Sequence, residues 1–157
     1  VSAKFVSAKI PLRRYTAADE DAAIELWRRT WTQHYPHIDF NSRVDWWRER
    51  WRKELVPSAR IMLAEMDGAL AGFVTIDPQT KYLDQIVVAP EQWGSGIALA
   101  LLEEAKRLSP RGVDLHVNKD NDRAIRFYAK HGFVYDGEDK NPYSDKPVNR
   151  MAWRAKD

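Results

Sequence analysis

Apolar positions along the chain change period several times, and each change predicts an element. Ile10 and Leu12 alternate with polar partners, which predicts a strand. "TAADEDAAIELWRRTW" then takes a helical period, with Thr16 or Asp19 as N-cap and an acidic first turn. In "NSRVDWWRERWRKEL", Val44, Trp47, Trp51 and Leu55 recur at spacings of three and four, which predicts a second helix capped by Asn41 or Ser42 and stopped by Pro57. "ARIMLAEM" and "ALAGFVTI" are strand-like runs around Asp67-Gly68, a strong hairpin signal, and "KYLDQIVV" follows Asp77-Pro78. These three predict an antiparallel meander.

From Gly94 the pattern turns helical, with Ile97, Leu101, Leu102 and Ala105 on one face. "VDLHV" reads as a short strand, "NDRAIRFYAKHG" as a helix closed by Gly132, and "FVYDGE" and "NRMAWRA" as two last strands. The predicted order is βααβββαβαββ, in the α/β (α+β) class. No low-complexity linker divides it, so residues 1–157 read as one domain, with residues 1–9, where VSAK occurs twice, as a disordered or cloning-derived start.

Composition narrows the chemistry. The 157 residues suit one domain with a real core. Lys and Arg number 25 against 23 Asp and Glu, a formal +2, too slight to argue for a nucleic-acid or membrane partner. There is no cysteine, so thiolate nucleophiles and Cys-ligated metals are excluded. The longest apolar run, Ile97 to Leu102, is far shorter than the roughly 20 residues that span a bilayer. No signal pattern opens the sequence, and a cytoplasmic protein is expected.

The stretch "IVVAPEQWGSGIALALLEEAKR" carries the candidate chemistry. A helix N-terminus has free backbone N–H groups and a partial positive charge, and glycines clear the approach of a phosphate to it. A Walker loop would need lysine after Gly96, where Ile97 stands. A dinucleotide fingerprint would need glycine in place of Leu99 and a strand running directly into the first glycine. A serine-hydrolase elbow would need glycine at Trp93 and Ile97.

A third kind of cradle holds coenzyme A. "VVAPEQWGSGIALALL" resembles the phosphate-binding motif of the GNAT superfamily of N-acetyltransferases, Arg/Gln-x-x-Gly-x-Gly/Ala after a strand ending in Val-x-Pro. It departs at Trp93, where the family usually has Arg or Gln. "VNKDNDRAIRFYAKHGFV" is similar to the family's Asn-x-x-Ala-x-x-Phe-Tyr-x-x-x-Gly-Phe segment through Asn121, Ala124, Phe127, Tyr128, Gly132 and Phe133. Asn121 and Tyr128, seven apart, lie on roughly one helix face.

The resemblance, which runs from about Ile10 to Trp153, implies the GNAT fold: a mixed, mostly antiparallel sheet of about seven strands with about four helices. It implies acetyl-CoA as cosubstrate, held by Trp93, Gly94, Ser95, Gly96, Ile97, Ala98 and Leu99, by main-chain groups of Ile86, Val87 and Val88, and by Asn121 and Tyr128. The strand before the glycine turn and the next one are expected to splay apart. An amine of a small molecule or peptide attacks the thioester directly, which suits a chain without cysteine, and Tyr128 matches the family's general acid. For the base, Asp84 is the best single carboxylate, placed by alternation on the face of Ile86 and Val88, while a water chain serves many members of the family. An acyl-CoA-binding or regulatory domain without transferase activity is the alternative reading.

Acceptor specificity is expected in Thr30 to Ser42 and Asp139 to Val148, with Trp31, Tyr35, His37 and Phe40 as candidates. His34 and His37 have no clear third ligand, so no metal is expected, and His116 and His131 read as a strand residue and a helix-end charge. Arg43, Arg48, Arg50 and Arg52 interleave with Asp45, Glu49 and Glu54, which reads as a salt-bridged solvent face rather than an RNA site. Members of the family often form homodimers.

Overall fold

The computed structural model describes residues 10–156; the reading of residues 1–9 falls outside them. Seven strands and four helices follow the expected order. They are β1 (Leu12–Arg14), α1 (Glu20–His34), α2 (residues 44–58), β2 (Arg60–Met66), β3 (Ala69–Asp77), β4 (Tyr82–Val88), α3 (Ile97–Leu108), β5 (Val113–Asn118), α4 (Asp122–Lys130), β6 (Val134–Lys140) and β7 (Pro147–Trp153). Helix α2 is α-helical over Val44–Arg50, widens to a π-helical stretch over Trp51–Leu55 and closes with Val56–Ser58. It therefore continues one residue past Pro57. Neither Asn41 nor Ser42 caps it: Asn41–Arg43 form a 3-10 turn, in which Asp39 accepts from the Ser42 amide at 3.3 Å.

The strands form one sheet in the order β1-β2-β3-β4-β5-β7-β6. The hairpin between β2 and β3 turns on Asp67 and Gly68, both at positive φ (55° and 78°), the geometry the Asp-Gly pair favours. All pairings are antiparallel except β4 with β5.

Each sheet face buries its own cluster. On one side Ile24, Trp27, Trp47 and Trp51 from α1 and α2 pack on Leu63, Phe73 and Val87. On the other, Ile97, Leu101 and Leu102 from α3 and Tyr128 from α4 pack on Val74, Leu83, Leu115 and Val117. Helix α3 lies so close to β3 that a Cβ on Gly72 would stand 3.1 Å from side-chain atoms of both Ile97 and Leu101. The tryptophan stripe is therefore mostly core, with Trp47 stacked on Trp27 at 4.7 Å, while Trp46 is exposed.

Arg48 and Arg52 do not stay within the helix's own surface. Both donate to Glu20 at the start of α1, tying α2 to α1, and Arg50 turns inward to Asp84. Of the expected pairs within the helix, Arg50 stands 3.6 Å from Glu54, and Lys53, outside that set, pairs with Glu49.

Candidate active site

Strands β4 and β5 pair in parallel at a single position, Tyr82 opposite Asp114, reinforced where the Asp114 amide donates to the Lys81 carbonyl at 2.7 Å. Beyond that vertex the strands part. Which β4 groups face the gap follows from the register with β3. The Ala89 amide donates to Ala71 O at 2.8 Å and Gly72 lies opposite Val88, so residues 71 and 89 form a hydrogen-bonded pair. Ile86 and Val88 are then the alternate residues, whose N–H and C=O groups point away from β3 and into the gap. An extended polar chain could pair with them as a strand would.

At the wide end of the gap the chain makes a 3-10 turn over Pro90–Gln92 and enters α3 through Gly94 and Gly96. Both glycines have positive φ, 83° and 94°, which favours glycine. Among the described residues, a Cβ on Gly94 would meet nothing within 4 Å, and one on Gly96 only the Ile10 side chain at 3.8 Å. No side chain among the described residues caps α3. The Ile97, Ala98 and Leu99 amides, in its first turn, are left to face whatever docks there. The Ser95 amide is not among them, because it donates to Gln92 O at 3.1 Å. Ile97 contributes only its backbone, since its side chain is fully buried. The residues present thus fit a diphosphate followed by a polar extended arm.

Trp93 spans the mouth of this gap. Its indole N–H donates to the Val88 carbonyl at 2.9 Å, the His34 ring stacks on it at 4.9 Å, and the Arg123 guanidinium stands 5.3 Å from its ring centroid. Burial, with the Arg123 charge adding, holds the His34 imidazole below its ordinary pKa. Arg123, on the first turn of α4, brings a cation to the position where Trp93 itself carries none. Nothing in the spacing of His34, Trp93 and Arg123 predicts this stack, since three elements must first converge.

Asn121 caps α4, its side-chain oxygen accepting from the Ala124 amide at 3.2 Å. The helix ends in a Schellman closure, in which the Gly132 amide donates to Ala129 O and the Phe133 amide to Tyr128 O. That closure fixes Tyr128, which packs on Phe133 at 5.5 Å between ring centroids. The phenol makes no hydrogen bond among the described residues, and burial pushes its pKa up, so it keeps its proton at neutral pH.

The face of β4 toward α2 corrects one expectation. Gln85 pairs with Thr75 and Leu83 with Ile76, which leaves Asp84 as an unpaired bulge residue. The extra residue breaks the alternation. Leu83, Ile86 and Val88 belong to the α3 side, whereas Asp84 faces α2. There Arg50 donates to both carboxylate oxygens, one bond at 3.0 Å and one shorter, and Gln85 donates to Oδ1 at 3.0 Å. The Arg50 Nε also donates to Tyr143 of the β6–β7 loop at 2.8 Å, and the Tyr143 hydroxyl donates to Glu54 at 2.9 Å.

The four acceptor-side candidates separate. Tyr35 reaches β5, where its hydroxyl accepts from Asn118 Nδ2 at 2.9 Å, and Trp31 stacks on it at 5.8 Å. His37 is exposed beside Tyr35. Phe40 is 6% exposed and sits edge-on against Trp27, so it is core and lines no opening. Among the described residues, no three His, Cys, Asp or Glu side chains cluster to hold a metal, and no helix is long and apolar enough to cross a membrane.

A sheet parted between two parallel strands, with a glycine turn at its open end, is the architecture of the N-acetyltransferase fold. The chain belongs to the Acetyltransferase (GNAT) family, whose pattern matches residues 20–133. It is 31% identical over 147 residues to the mycothiol acetyltransferase of Acidimicrobium ferrooxidans, covering 87% of this chain and 44% of that protein. It is 27% identical over 139 residues to the peptidyl-lysine N-acetyltransferase YjaB of Salmonella typhimurium, covering 88% and 92%. The chain thus spans less than half of the first relative and nearly all of the second. In fold it is similar to the PaiA N-acetyltransferase of Thermoplasma acidophilum in complex with coenzyme A, with TM-score 0.72, 21% identity and coverage of 92% and 98%.

Proposed function

We propose that this chain transfers the acetyl group of acetyl-CoA to a primary amine by direct attack. The observation that carries the reading is the β4–β5 gap, which offers the main-chain groups of Ile86 and Val88 and ends on the amides from Ile97 to Leu99. A pantetheine arm would pair with the former and the diphosphate would rest on the latter, with Arg123 adding a cation. Acetyl-CoA bound there would supply a thioester carbonyl near the vertex. A protein with this fold was crystallised in complex with coenzyme A, which supports the choice of cosubstrate.

Tyr128 holds a proton at neutral pH and delivers it to the departing thiolate. Asp84, with both oxygens engaged by Arg50, fixes the vertex of the gap and sets the charge there, and leaves the acceptor's proton to another route. The acceptor approaches from the α1–α2 side, past Tyr35 and Tyr143. A small amine and a lysine side chain both fit the named activities of the relatives.

Thiol release from acetyl-CoA, measured across a panel of primary amines and lysine peptides, tests the reading. Amine-dependent release with a mass gain of one acetyl group on the acceptor is expected. Acetyl-CoA binding without release for any amine would favour the acyl-CoA-binding alternative, to which the indole of Trp93 on the Val88 carbonyl lends its one specific support.

A further inference from the structure

Three side chains from three strands line up at the closed end of the gap. Tyr82 on β4 brings its hydroxyl to 2.9 Å from His116 Nδ1 on β5, and His116 Nε2 lies 3.4 Å from Asp139 Oδ2 on β6. The Tyr82 and His116 rings meet edge to face at 5.3 Å. Val113, Leu115 and Val117 point to the α3 side, so His116 projects from the opposite face, toward the acceptor. Tyr82 and His116 are both partly buried, and exposure rises from the His116 side chain, at 25%, to that of Asp139, at 47%. The other oxygen of Asp139 accepts from the Lys140 amide at 2.8 Å, which leaves Oδ2 to the imidazole.

Resting on the acetyltransferase reading, we propose that Tyr82, His116 and Asp139 form a relay that carries the acceptor ammonium's proton from the vertex to solvent. Burial, with the Asp84 charge adding, keeps the Tyr82 phenol protonated, so it donates to His116 Nδ1 and His116 holds its own proton on Nε2 toward Asp139. When an ammonium reaches the vertex, its N–H bond breaks toward the Tyr82 oxygen while the Tyr82 proton passes to Nδ1. The nitrogen keeps the electron pair that forms the amide bond. The imidazolium, stabilised by Asp139, then loses its Nε2 proton to water. One ammonium proton leaves by this path. The thiolate takes its proton from Tyr128, and the second N–H proton, released as the tetrahedral adduct collapses to the amide, returns to Tyr128. Exchange with water returns His116 to its Nε2–H form.

The charged and titratable groups around the row are few. Asp84, paired with Arg50, stands beside Tyr82, and Tyr143 lies on Arg50. Arg150 faces His116 across β7 but donates to Asp136 O, and Asp114 pairs with Arg154. No other base bonds to His116 among the described residues. Tyr82 is the group placed to touch the acceptor; His116 and Asp139 act through it as positioning residues.

The test is the pH profile of kcat/KM, with a lysine peptide or small amine that the wild type acetylates. The wild-type rate should rise with pH on a limb of unit slope. His116→Gln should lose about 10²-fold and that limb with it. Asp139→Asn should lower kcat/KM as well, because the imidazolium formed in the step loses the carboxylate beside Nε2. Added imidazole should restore rate to His116→Gly. Tyr82→Phe, which removes one oxygen and keeps the packing, should fall about tenfold or more. Acetyl-CoA affinity should stay within about twofold in every variant, which also reports that each is folded. Independently of any acceptor, nitrogen-15 NMR of the wild type should find His116 in the Nε2–H tautomer. An Nδ1–H tautomer, or transfer by His116→Gln with the wild-type rate and limb, would overturn the relay and leave the acetyltransferase reading standing. A wild type that binds acetyl-CoA yet acetylates no amine would overturn that reading and the relay with it.

Discussion

Arg50 and Asp84 meet end to end between α2 and β4, with the guanidinium on both carboxylate oxygens and the two side chains only 10% and 14% exposed. The pair joins the widened turn of α2 to the bulge of β4, and through Tyr143 it also holds the β6–β7 loop. Arg50→Met should destabilise the fold by about 3 kcal/mol, because it leaves a carboxylate largely out of water without its partner. Urea denaturation measures this. Asp84→Asn should also lower stability while leaving the acid limb of the pH–rate profile in place. A lost limb would return the role of base to Asp84.

Tyr128 has no competing hydrogen-bond partner among the described residues, so its proton is available to a leaving group. Tyr128→Phe should lower turnover about 10²-fold with acetyl-CoA affinity nearly unchanged. Steady-state kinetics beside calorimetric titration separates the two.

Gly94 combines a φ of 83° with open space around its Cα. Gly94→Ala should therefore clash with none of the described residues. It should still cost about 1 kcal/mol in backbone strain and weaken acetyl-CoA binding by placing a methyl group in the phosphate's approach. Thermal melts with and without acetyl-CoA should show a smaller ligand-induced rise in Tm than the wild type shows.

Glu20 accepts from both Arg52 and Arg48, and these bonds, Arg52 first, pull its pKa down to about 2 from the usual 4.5. A depressed carboxylate contributes stability that is fully present above pH 4.5 and lost as pH falls toward about 2. Glu20→Gln should flatten the dependence of unfolding free energy on pH within that window and lower stability by roughly 1 kcal/mol above it. Denaturation curves at a series of pH values check both.

The element order and the glycine turn before α3 were legible because they depend on local signals: the periods of two and 3.6, the Asp-Gly turn, and glycines where positive φ is required. Asp84 was misplaced by one face because a bulge adds a residue without any glycine or proline to mark it. The partners of Arg48, Arg50 and Arg52 were sought within their own helix, whereas each found a carboxylate on another element. His116 looked like an ordinary strand residue, since Tyr82 stands on β4 and Asp139 on β6, one strand beyond β7, and only the sheet order brings them to its two sides. Phe40 was offered to the acceptor because its segment lacks pattern, but burial against Trp27 uses its ring in the core.

The most direct measurement is a calorimetric titration of the protein with acetyl-CoA, with NAD and ATP as controls. Saturable binding of acetyl-CoA at one site, with neither control bound, is the predicted result. It would mean that Trp93 yields the Val88 carbonyl to the incoming arm and that the β4–β5 gap is a working cofactor site. No binding of acetyl-CoA would contradict the account, since every catalytic role argued for Tyr128 and Tyr82 depends on a thioester held between them.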